Sequence, residues 1–298
     1  MSESRQLARE IARSVRGSDP AQVDALPSQC NDVFRMTFAD ADAAVVKIYA
    51  RPHGADRERT GDRAATELAV LQRLRRRDVP VPVVEAAEIE AAVPWVLMTD
   101  AGGSPAGQCD GLDHGRKCAV FRRCGELLGL THRIAFPIGG RFDSDDRQPL
   151  AVDGPIDPVL RWALGQTKAE PAWDAMHAAA MSSTDAVLCH GDFHPDQGVR
   201  SGDLVTAVVD WESATAGDPL ADHAKFANYL DLFFVDEAAS QALDGYADTA
   251  PSLDLATDRY LLLRLLHVLG LISVQPDNGE CAERMRGLAK QLCTELGV

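Results

Sequence analysis

Residues 187–212 read V-L-C-H-G-D-F-H-P-D-Q-G-V-R-S-G-D-L-V-T-A-V-V-D-W-E, and this stretch decides the interpretation of the whole chain. Two short apolar runs, 186–189 and 204–209, are typical of buried β-strands, and a weaker run lies between them at 198–200. The turn sequence S-G-D at 201–203 predicts a hairpin between the second and the third run. A polar loop therefore separates a first strand from a following hairpin.

Three polar side chains, Asp192, Gln197 and Asp210, are expected to lie close together, because the polar loop 190–197 follows the first strand and Asp210 ends the last. Phosphoryl transfer needs one carboxylate that accepts the proton of the attacking hydroxyl and further oxygen ligands that hold magnesium. The loop matches the kinase pattern H-x-D-x-x-x-x-N except at its last position, where the chain has Gln197. The sequence therefore predicts a phosphoryl-transfer site.

Three motifs, H-G-D-F-H-P-D-Q, V-V-D-W-E and G-D-P-L-A-D, together resemble the aminoglycoside phosphotransferase family of small-molecule kinases. The resemblance is strong over residues 187–224 and weaker over 26–103. It implies an α+β, protein-kinase-like fold with two lobes. We expect a small N-terminal lobe with an antiparallel sheet (1–98), a hinge (99–103), and a larger, mainly helical C-terminal lobe (104–298) that carries the catalytic loop and the acceptor site.

The composition of the 298 residues, 46% hydrophobic and 25% charged, is that of an ordinary globular protein. The net charge of −15 argues against nucleic acid as a partner, which requires a basic surface. An acidic cleft would attract a cationic small molecule, although the charge also fits a merely solubilising surface. We expect a monomer or a homodimer.

The seven cysteines form no C-x-x-C pair, so that reduced thiols are expected rather than disulfides or a zinc site. The first ten residues lack the apolar core of a signal peptide. The most apolar window, 260–274, contains Arg264 and His267 and is too short to span a bilayer. These features predict a cytoplasmic protein without a membrane partner.

Apolar patterns predict a short amphipathic helix within 1–16 and a small lobe of five strands and one helix. Four of the strands are predicted at 32–38, 43–49, 83–90 and 94–98, and the helix is predicted at 63–77. From 112 onward the pattern becomes helical as far as His132, which we interpret as a packed or capping histidine. Residues 104–113 are predicted to be loop and 136–157 a long connection; further helices are predicted at 158–180, 220–234, 238–246, 255–274 and 281–296.

Lys47 shares one strand face with the apolar residues Val45 and Tyr49. A lysine on such a face needs an anionic partner, whereas at a sheet edge it could equally point to solvent. Glu67 lies on the apolar stripe of the following helix and is the natural partner. The Asp192 loop downstream favours the functional reading, in which Glu67 holds Lys47 against the α- and β-phosphates of ATP.

The nucleotide itself is predicted to contact two further segments. The turn Pro27-Ser28-Gln29-Cys30-Asn31 lacks the glycines of the usual kinase phosphate loop, so that Ser28 and Asn31 either contact the nucleotide or form an ordinary strand entry. The segment M-T-D-A-G-G at 98–103 resembles the family hinge, whose backbone near Met98 and Asp100 would pair with the adenine edge. ATP is the expected donor, with GTP as the alternative.

The resemblance assigns roles to the remaining site residues. Asp192 would accept the proton of the acceptor hydroxyl, and Asp210 would bind Mg²⁺. His194 would either donate to the γ-phosphate or support the loop, and His190 is expected to hold the loop through backbone bonds. Asp222 is expected to be a structural anchor.

Gln197 departs from the family's asparagine by one additional methylene. Either it still ligates magnesium, or the site holds one metal firmly and a second weakly. Glutamine here is also similar to the loop of maltokinase-like sugar kinases, H-G-D-x-H-x-G-Q. The leading hypothesis is an antibiotic O-phosphotransferase that acts on an aminoglycoside or related amino-sugar compound; the alternatives are a metabolic sugar or amino-sugar kinase and a non-catalytic nucleotide-binding pseudokinase.

Overall fold

The computed structural model describes residues 3–28, 30–39, 41–50, 60–142, 185–234, 236–274 and 279–297. Its strands are β1 (Gln22–Leu26), β2 (Asp32–Thr37), β3 (Ala44–Ile48), β4 (Val84–Glu88), β5 (Trp95–Thr99), β6 (Ser104–Pro105), β7 (Gly140–Arg141), β8 (Val187–Cys189), β9 (Gly198–Ser201), β10 (Leu204–Val208) and β11 (Thr215–Gly217). Its α-helices are α1 (Glu3–Arg16), α2 (Thr60–Leu74), α3 (His114–Thr131), α4 (Pro219–Phe233), α5 (Gln241–Thr249), α6 (Asp258–Val274) and α7 (Gly279–Leu296).

The N-terminal lobe is an antiparallel sheet of five strands in the order β1-β2-β3-β5-β4. Helix α1 packs on one face of this sheet through Ala8, Ile11 and Ala12, which join a core with Met36 and Val46. The other face is covered by α2. The predicted amphipathic N-terminal helix and the five-stranded lobe are confirmed, and β1 is the fifth strand, whose bounds were not predicted.

Strand β3 separates the two cores of this lobe because its side chains alternate between the faces of the sheet. Val46 and its neighbours Ala44 and Ile48 belong to the core under α1. Tyr49, which follows β3, belongs to the core shared with α2, and Val45 packs against that same core. Lys47 lies on this second face, as the sequence predicted, and is therefore directed at α2 and at the other lobe.

The described part of the C-terminal lobe is mainly helical and contains two small three-stranded sheets, β10-β9-β6 and β7-β11-β8. The hairpin predicted at 201–203 is confirmed, since Leu204 pairs with Ser201 and Gly202 has φ of +64°. Two predictions were wrong in detail. Ser104–Pro105, within the predicted loop 104–113, pairs with β9, and Gly140–Arg141, within the predicted connection 136–157, pairs with β11.

The helices predicted within the described residues agree with the structure apart from shifts at their ends. Helix α3 buries Val120, Cys124 and Leu128 along its stripe and ends at the capping residue His132. Pro219 opens α4, and the side chain of Asp218 caps it by accepting a hydrogen bond from the Leu220 amide. This cap begins α4 directly after β11.

The remaining predictions concern the region 143–180, the cysteines, membrane-spanning helices and the hinge. The helix predicted at 158–180, with Trp162 and Trp173, lies outside the described residues, as does 143–157 of the predicted connection. All seven cysteines are free thiols. Within the described ranges, no helix combines the length and the apolarity needed to cross a membrane. The division of the chain at the hinge 99–103 stays a prediction.

Candidate active site

The loop that carries Asp192 is fixed at its base by Asp222 of α4. The two oxygens of this carboxylate accept hydrogen bonds from the amides of His190, at 2.8 Å, and Gly191, at 3.0 Å. Its Oδ2 atom also lies 3.1 Å from Nε2 of His132. Burial would raise the pKa of Asp222, but the hydrogen bond and the charge of His132 outweigh it and lower that pKa to about 2. Asp222 is therefore a structural anchor, as predicted.

Gly191 and His190 hold the backbone of this loop against the segment that follows β10. Gly191 has φ of +83°, and a Cβ atom there would lie 2.1 Å from the Ser213 carbonyl oxygen, so that only glycine fits. Nε2 of His190 lies 3.0 Å from the carbonyl oxygen of Val209, which ties the loop to the end of β10. His190 thus supports the loop, as the sequence predicted.

Asp192, the third residue of the loop 190–197, is half-buried. Its Oδ1 atom accepts a hydrogen bond of 2.5 Å from the hydroxyl of Tyr229 on α4. Burial raises the pKa of Asp192, and the nearby His194 and the tyrosine hydrogen bond act in the opposite direction. A carboxylate in this setting is suited to accept a proton from a hydroxyl group.

Asp210 follows β10 in a left-handed conformation, with φ of 67° and ψ of 50°. Among the described residues, Asp210 is the only non-glycine residue with a positive φ. Such strained conformations cluster at active sites and at ligand-binding sites. Its carboxylate is 38% exposed, and Oδ2 lies 3.2 Å from Nε2 of Gln197. The structure therefore brings together the two residues that were predicted to bind metal.

Lys47 lies at the centre of the site. Its Nζ atom is 2.6 Å from Oε2 of Glu67 and 2.9 Å from Oε2 of Glu212, and it also contacts Oδ1 of Asp210. Burial alone would lower the pKa of Lys47, but the charges of these carboxylates raise it well above its usual value. The lysine holds the pKa of Asp210 at about 2 against the opposing effect of burial. The predicted Lys47–Glu67 pair is present.

The structure adds two site residues that the sequence analysis missed, Arg63 and Glu212. Nη1 of Arg63 lies 2.9 Å from Oε1 of Glu212 and 3.2 Å from Oδ1 of Asn31. Nδ2 of Asn31 donates to Oε2 of Glu212 at 2.6 Å. Arg63 precedes Glu67 by four residues and so shares its helix face, which is the signal that could have identified it.

The predicted nucleotide contacts are placed as follows. The hydroxyl of Ser28 accepts a hydrogen bond from the Asn31 amide at 3.3 Å, and the Asn31 side chain is engaged with Arg63 and Glu212. Both side chains thus stabilise the turn before β2. A direct contact of either one with the nucleotide stays a prediction.

The hinge segment is already hydrogen-bonded at two of its amides. The amides of Thr99 and Asp100 donate to the carbonyl oxygens of Val83, at 2.9 Å, and Ala43, at 3.2 Å. The Asp100 carboxylate accepts hydrogen bonds from Arg35 and from the amide of Gly102, and Met98 is buried in the core. The side chain of Asp100 therefore stabilises the lobe, and adenine recognition by this backbone stays a prediction.

His194 belongs to the loop 190–197 and faces Tyr229 of α4. Its Nε2 atom is 3.3 Å from Nε2 of Gln197, and the centre of its ring is 5.0 Å from that of Tyr229. This position fits either of the two roles that the sequence left open, because the ring contacts Gln197 and the charge of His194 also acts on Asp192.

The family model described as the phosphotransferase enzyme family, APH, matches residues 25–256. The chain belongs to this family. The resemblance stated from the three motifs is thereby confirmed, and the match extends through both lobes.

Structural comparison confirms the protein-kinase-like fold. A thermostable mutant of aminoglycoside phosphotransferase APH(4)-Ia, in a ternary complex with ADP and hygromycin B, is 16% identical, with a TM-score of 0.66 over 96% of this chain and 98% of that chain. A microcompartment-associated aminopropanol kinase is 17% identical, with a TM-score of 0.62 over 97% of this chain and 95% of that chain. At these identities the likeness shows the fold alone.

A curated relative, acyl-CoA dehydrogenase family member 10 of Mus musculus, is 27% identical over 174 residues. The aligned region covers 53% of this chain and 16% of the mouse protein. The chain therefore matches only about a sixth of the length of that relative.

The side chains around Lys47 fit a divalent cation. Carboxylate oxygens of Glu67, Asp210 and Glu212 lie within 4.8 Å of one another, and the amide of Gln197 lies beside Asp210. Magnesium prefers such oxygen ligands. The three carboxylates outnumber the two cations Lys47 and Arg63, so that the cluster has a net negative charge, which attracts a metal ion. The arrangement can therefore hold a metal and a phosphate chain side by side.

Proposed function

We propose that the protein is an ATP- and magnesium-dependent O-phosphotransferase that moves the γ-phosphoryl group to a hydroxyl of a small molecule. The observation that carries this proposal is the position of Lys47, which is held by Glu67 of α2 and contacts Asp210 at the end of β10. In kinase-like enzymes a lysine so held binds the nucleotide phosphates. The residues that would bind the phosphates and the metal ion thus lie within one cluster of side chains.

Each residue has a distinct task in the proposed reaction. Lys47, oriented by Glu67, binds the α- and β-phosphates, and Asp210 with Gln197 would hold magnesium. When bound, magnesium neutralises the phosphate oxygens. Asp192 orients the acceptor hydroxyl and takes its proton as the new O–P bond forms and the bond between the γ-phosphorus and the bridging oxygen breaks, so that ADP leaves.

The proposed acceptor is an antibiotic of the aminoglycoside or amino-sugar type, in line with the ternary complex of APH(4)-Ia with hygromycin B. The net charge of −15 favours a cationic acceptor. The second candidate is a sugar or amino-sugar kinase. It is favoured by Gln197, which is similar to the residue in the loop of maltokinase-like enzymes. The aminopropanol kinase shows that this fold also occurs in a kinase whose name is not that of an antibiotic kinase. Because ATP is a cytoplasmic nucleotide, we place the enzyme in the cytoplasm.

ADP release with ATP or GTP, measured against aminoglycosides, amino sugars and plain sugars, tests this proposal. The product of each responding acceptor should gain one phosphoryl group by mass spectrometry. A response confined to neutral sugars would favour the second candidate. Asp192→Asn provides the matched control, since it should bind ADP as the wild type does and lose turnover. A wild type that binds ADP but transfers to no acceptor would contradict the proposal and favour a pseudokinase.

A further inference from the structure

One face of α4 contacts the first part of the loop 190–197, from His190 to His194. Asp222, Lys225, Phe226 and Tyr229 lie on one side of this helix, because Lys225 and Phe226 follow Asp222 by three and four residues and Tyr229 follows them by four and three. Each of the four contacts a different point of the loop from His190 to His194. The helix therefore acts as a support for this loop.

The first three of these residues bind the loop backbone or its core. Asp222 accepts the two amides at the start of the loop, and Nζ of Lys225 donates to the carbonyl oxygen of Gly191 at 2.6 Å. The ring of Phe226 lies 5.4 Å, centre to centre, from that of Phe193. These contacts fix the backbone of the loop, and the charge of Lys225 also acts on the carboxylate of Asp192.

The fourth residue, Tyr229, contacts that carboxylate directly. Its hydroxyl donates to Oδ1 of Asp192 at 2.5 Å. Its ring is itself held between neighbours, with centre distances of 5.0 Å to His194, 5.2 Å to His267 and 5.8 Å to Phe233. The donor is thus placed by packing, and it can hold its acceptor oxygen in one place.

We propose that Tyr229 is the positioning residue of the reaction: it fixes Oδ1 of Asp192, so that Oδ2 is the oxygen that receives the acceptor hydroxyl. This inference rests on the proposed phosphotransferase function. A carboxylate has a broad, two-fold torsion about its last bond, and a backbone anchor such as Asp222 does not restrict it. A hydrogen bond to one charged oxygen is strong and directional, and it sets the orientation of the other oxygen.

A further consequence concerns the acceptor. Because Tyr229 binds Oδ1, the other oxygen, Oδ2, has one orientation. Only the acceptor hydroxyl that reaches Oδ2 in that orientation is phosphorylated, which favours transfer to a single position of an acceptor that carries several hydroxyl groups. The hydroxyl of Tyr229 is therefore expected to affect the chemical step and the choice of hydroxyl, while leaving the nucleotide contacts around Lys47 unchanged.

Tyr229→Phe tests this role, because the variant retains the ring contacts and removes only the hydroxyl. We expect kcat to fall about tenfold, the rate equivalent of one hydrogen bond to a charged group, while KM for ATP and Kd for ADP stay within about twofold. Tyr260→Phe is the matched control. It removes another buried tyrosine hydroxyl, which lies 2.9 Å from Nδ1 of His223, and should leave kcat within about twofold.

A double-mutant cycle separates positioning from general support of the fold. In an Asp192→Asn background, adding Tyr229→Phe should lower the residual turnover less than about twofold, because the carboxylate that the hydroxyl serves is gone. An equal, about tenfold loss in both backgrounds, or a kcat of Tyr229→Phe equal to that of the wild type, would overturn the inference alone. A wild type that binds ADP without phosphorylating any acceptor would instead overturn the proposed function, and this role with it.

Discussion

Arg63 in the sheet lobe is paired with Glu212 in the helical lobe, two residues after Asp210. The side chains are only 2% and 9% exposed, and Nη1 of Arg63 lies 2.9 Å from Oε1 of Glu212. The same carboxylate accepts a hydrogen bond from Asn31 and lies 2.9 Å from Lys47. Glu212 therefore connects α2, β3 and the turn before β2 to the loop that carries Asp210.

Glu212→Ala should destabilise the protein strongly. The change removes the carboxylate that is paired with the buried Arg63 and that is also one of the anions around Lys47. Loss of one partner of a buried ion pair costs about 3–5 kcal/mol, because the remaining charge stays out of water. Urea unfolding at neutral pH should show this decrease in the free energy of unfolding.

The matched control for this measurement is Asp19→Ala, which breaks the exposed pair of Asp19 with Arg13. These side chains are 55% and 58% exposed, and such a pair contributes less than about 1 kcal/mol. If Glu212→Ala cost no more than Asp19→Ala, the Arg63–Glu212 pair would not hold the lobes together.

The residues of the site that the sequence predicted all had local signals. Lys47 stood on an apolar strand face, and Glu67 stood on an apolar helix stripe, so that each required a buried partner of opposite charge. Asp192 and Asp210 were identified from a motif whose spacing reflects one loop and one hairpin. In each case the physical reason lay within a few residues along the chain.

Arg63 and Tyr229 were missed because their partners, Glu212 and Asp192, lie far away from them in sequence. Arg63 looks like a solvated arginine at the start of a charged helix until Glu212 is folded against it. Tyr229 fits an ordinary helical pattern, and only its spacing of seven residues from Asp222 indicates a shared face. The short strands β6 and β7, of two residues each, fall below the length at which alternation of apolar residues can be detected.

Lys47→Met should abolish most of the catalytic efficiency. Methionine retains much of the apolar stem but cannot offer a positive charge to the phosphates, and removal of such a charge costs about a hundredfold or more. We expect kcat/KM for ATP to fall accordingly in the ADP-release assay. Lys290→Met, at an exposed position of α7, should behave as the wild type does. A decrease below about tenfold for Lys47→Met would argue against a phosphate contact.

His223 should make the protein less stable in mild acid. Burial lowers the pKa of His223 to about 3, with the charges of His132 and Arg264 acting in the same direction. Above the unfolded-state pKa of about 6.5, His223 is neutral in both states, and stability is fully present. As the pH falls below that value, only the unfolded chain takes up the proton, so that stability decreases by about 1.4 kcal/mol per pH unit from this residue.

The pH dependence is checked by urea unfolding between pH 7 and pH 4. His223→Asn should flatten the slope of the unfolding free energy by about 1.4 kcal/mol per pH unit, although the variant is less stable at pH 7. His114→Asn, at an exposed position of α3, should retain the wild-type slope. An unchanged slope in His223→Asn would show that this imidazole takes up its proton equally in the folded and unfolded states.

Gln197→Asn should raise the magnesium requirement, although it restores the residue that the family pattern has at this place. In this structure the longer side chain brings the amide to 3.2 Å from Oδ2 of Asp210, and an arm shorter by about 1.5 Å would withdraw it. We expect the Mg²⁺ concentration for half-maximal turnover to rise about tenfold. The thermal stabilisation that ADP gives in the presence of Mg²⁺ should weaken in parallel, which provides a readout independent of turnover. Gln291→Asn, exposed on α7, is the matched control, and a magnesium dependence of Gln197→Asn equal to that of this control would show that the length of the side chain at 197 does not determine magnesium binding.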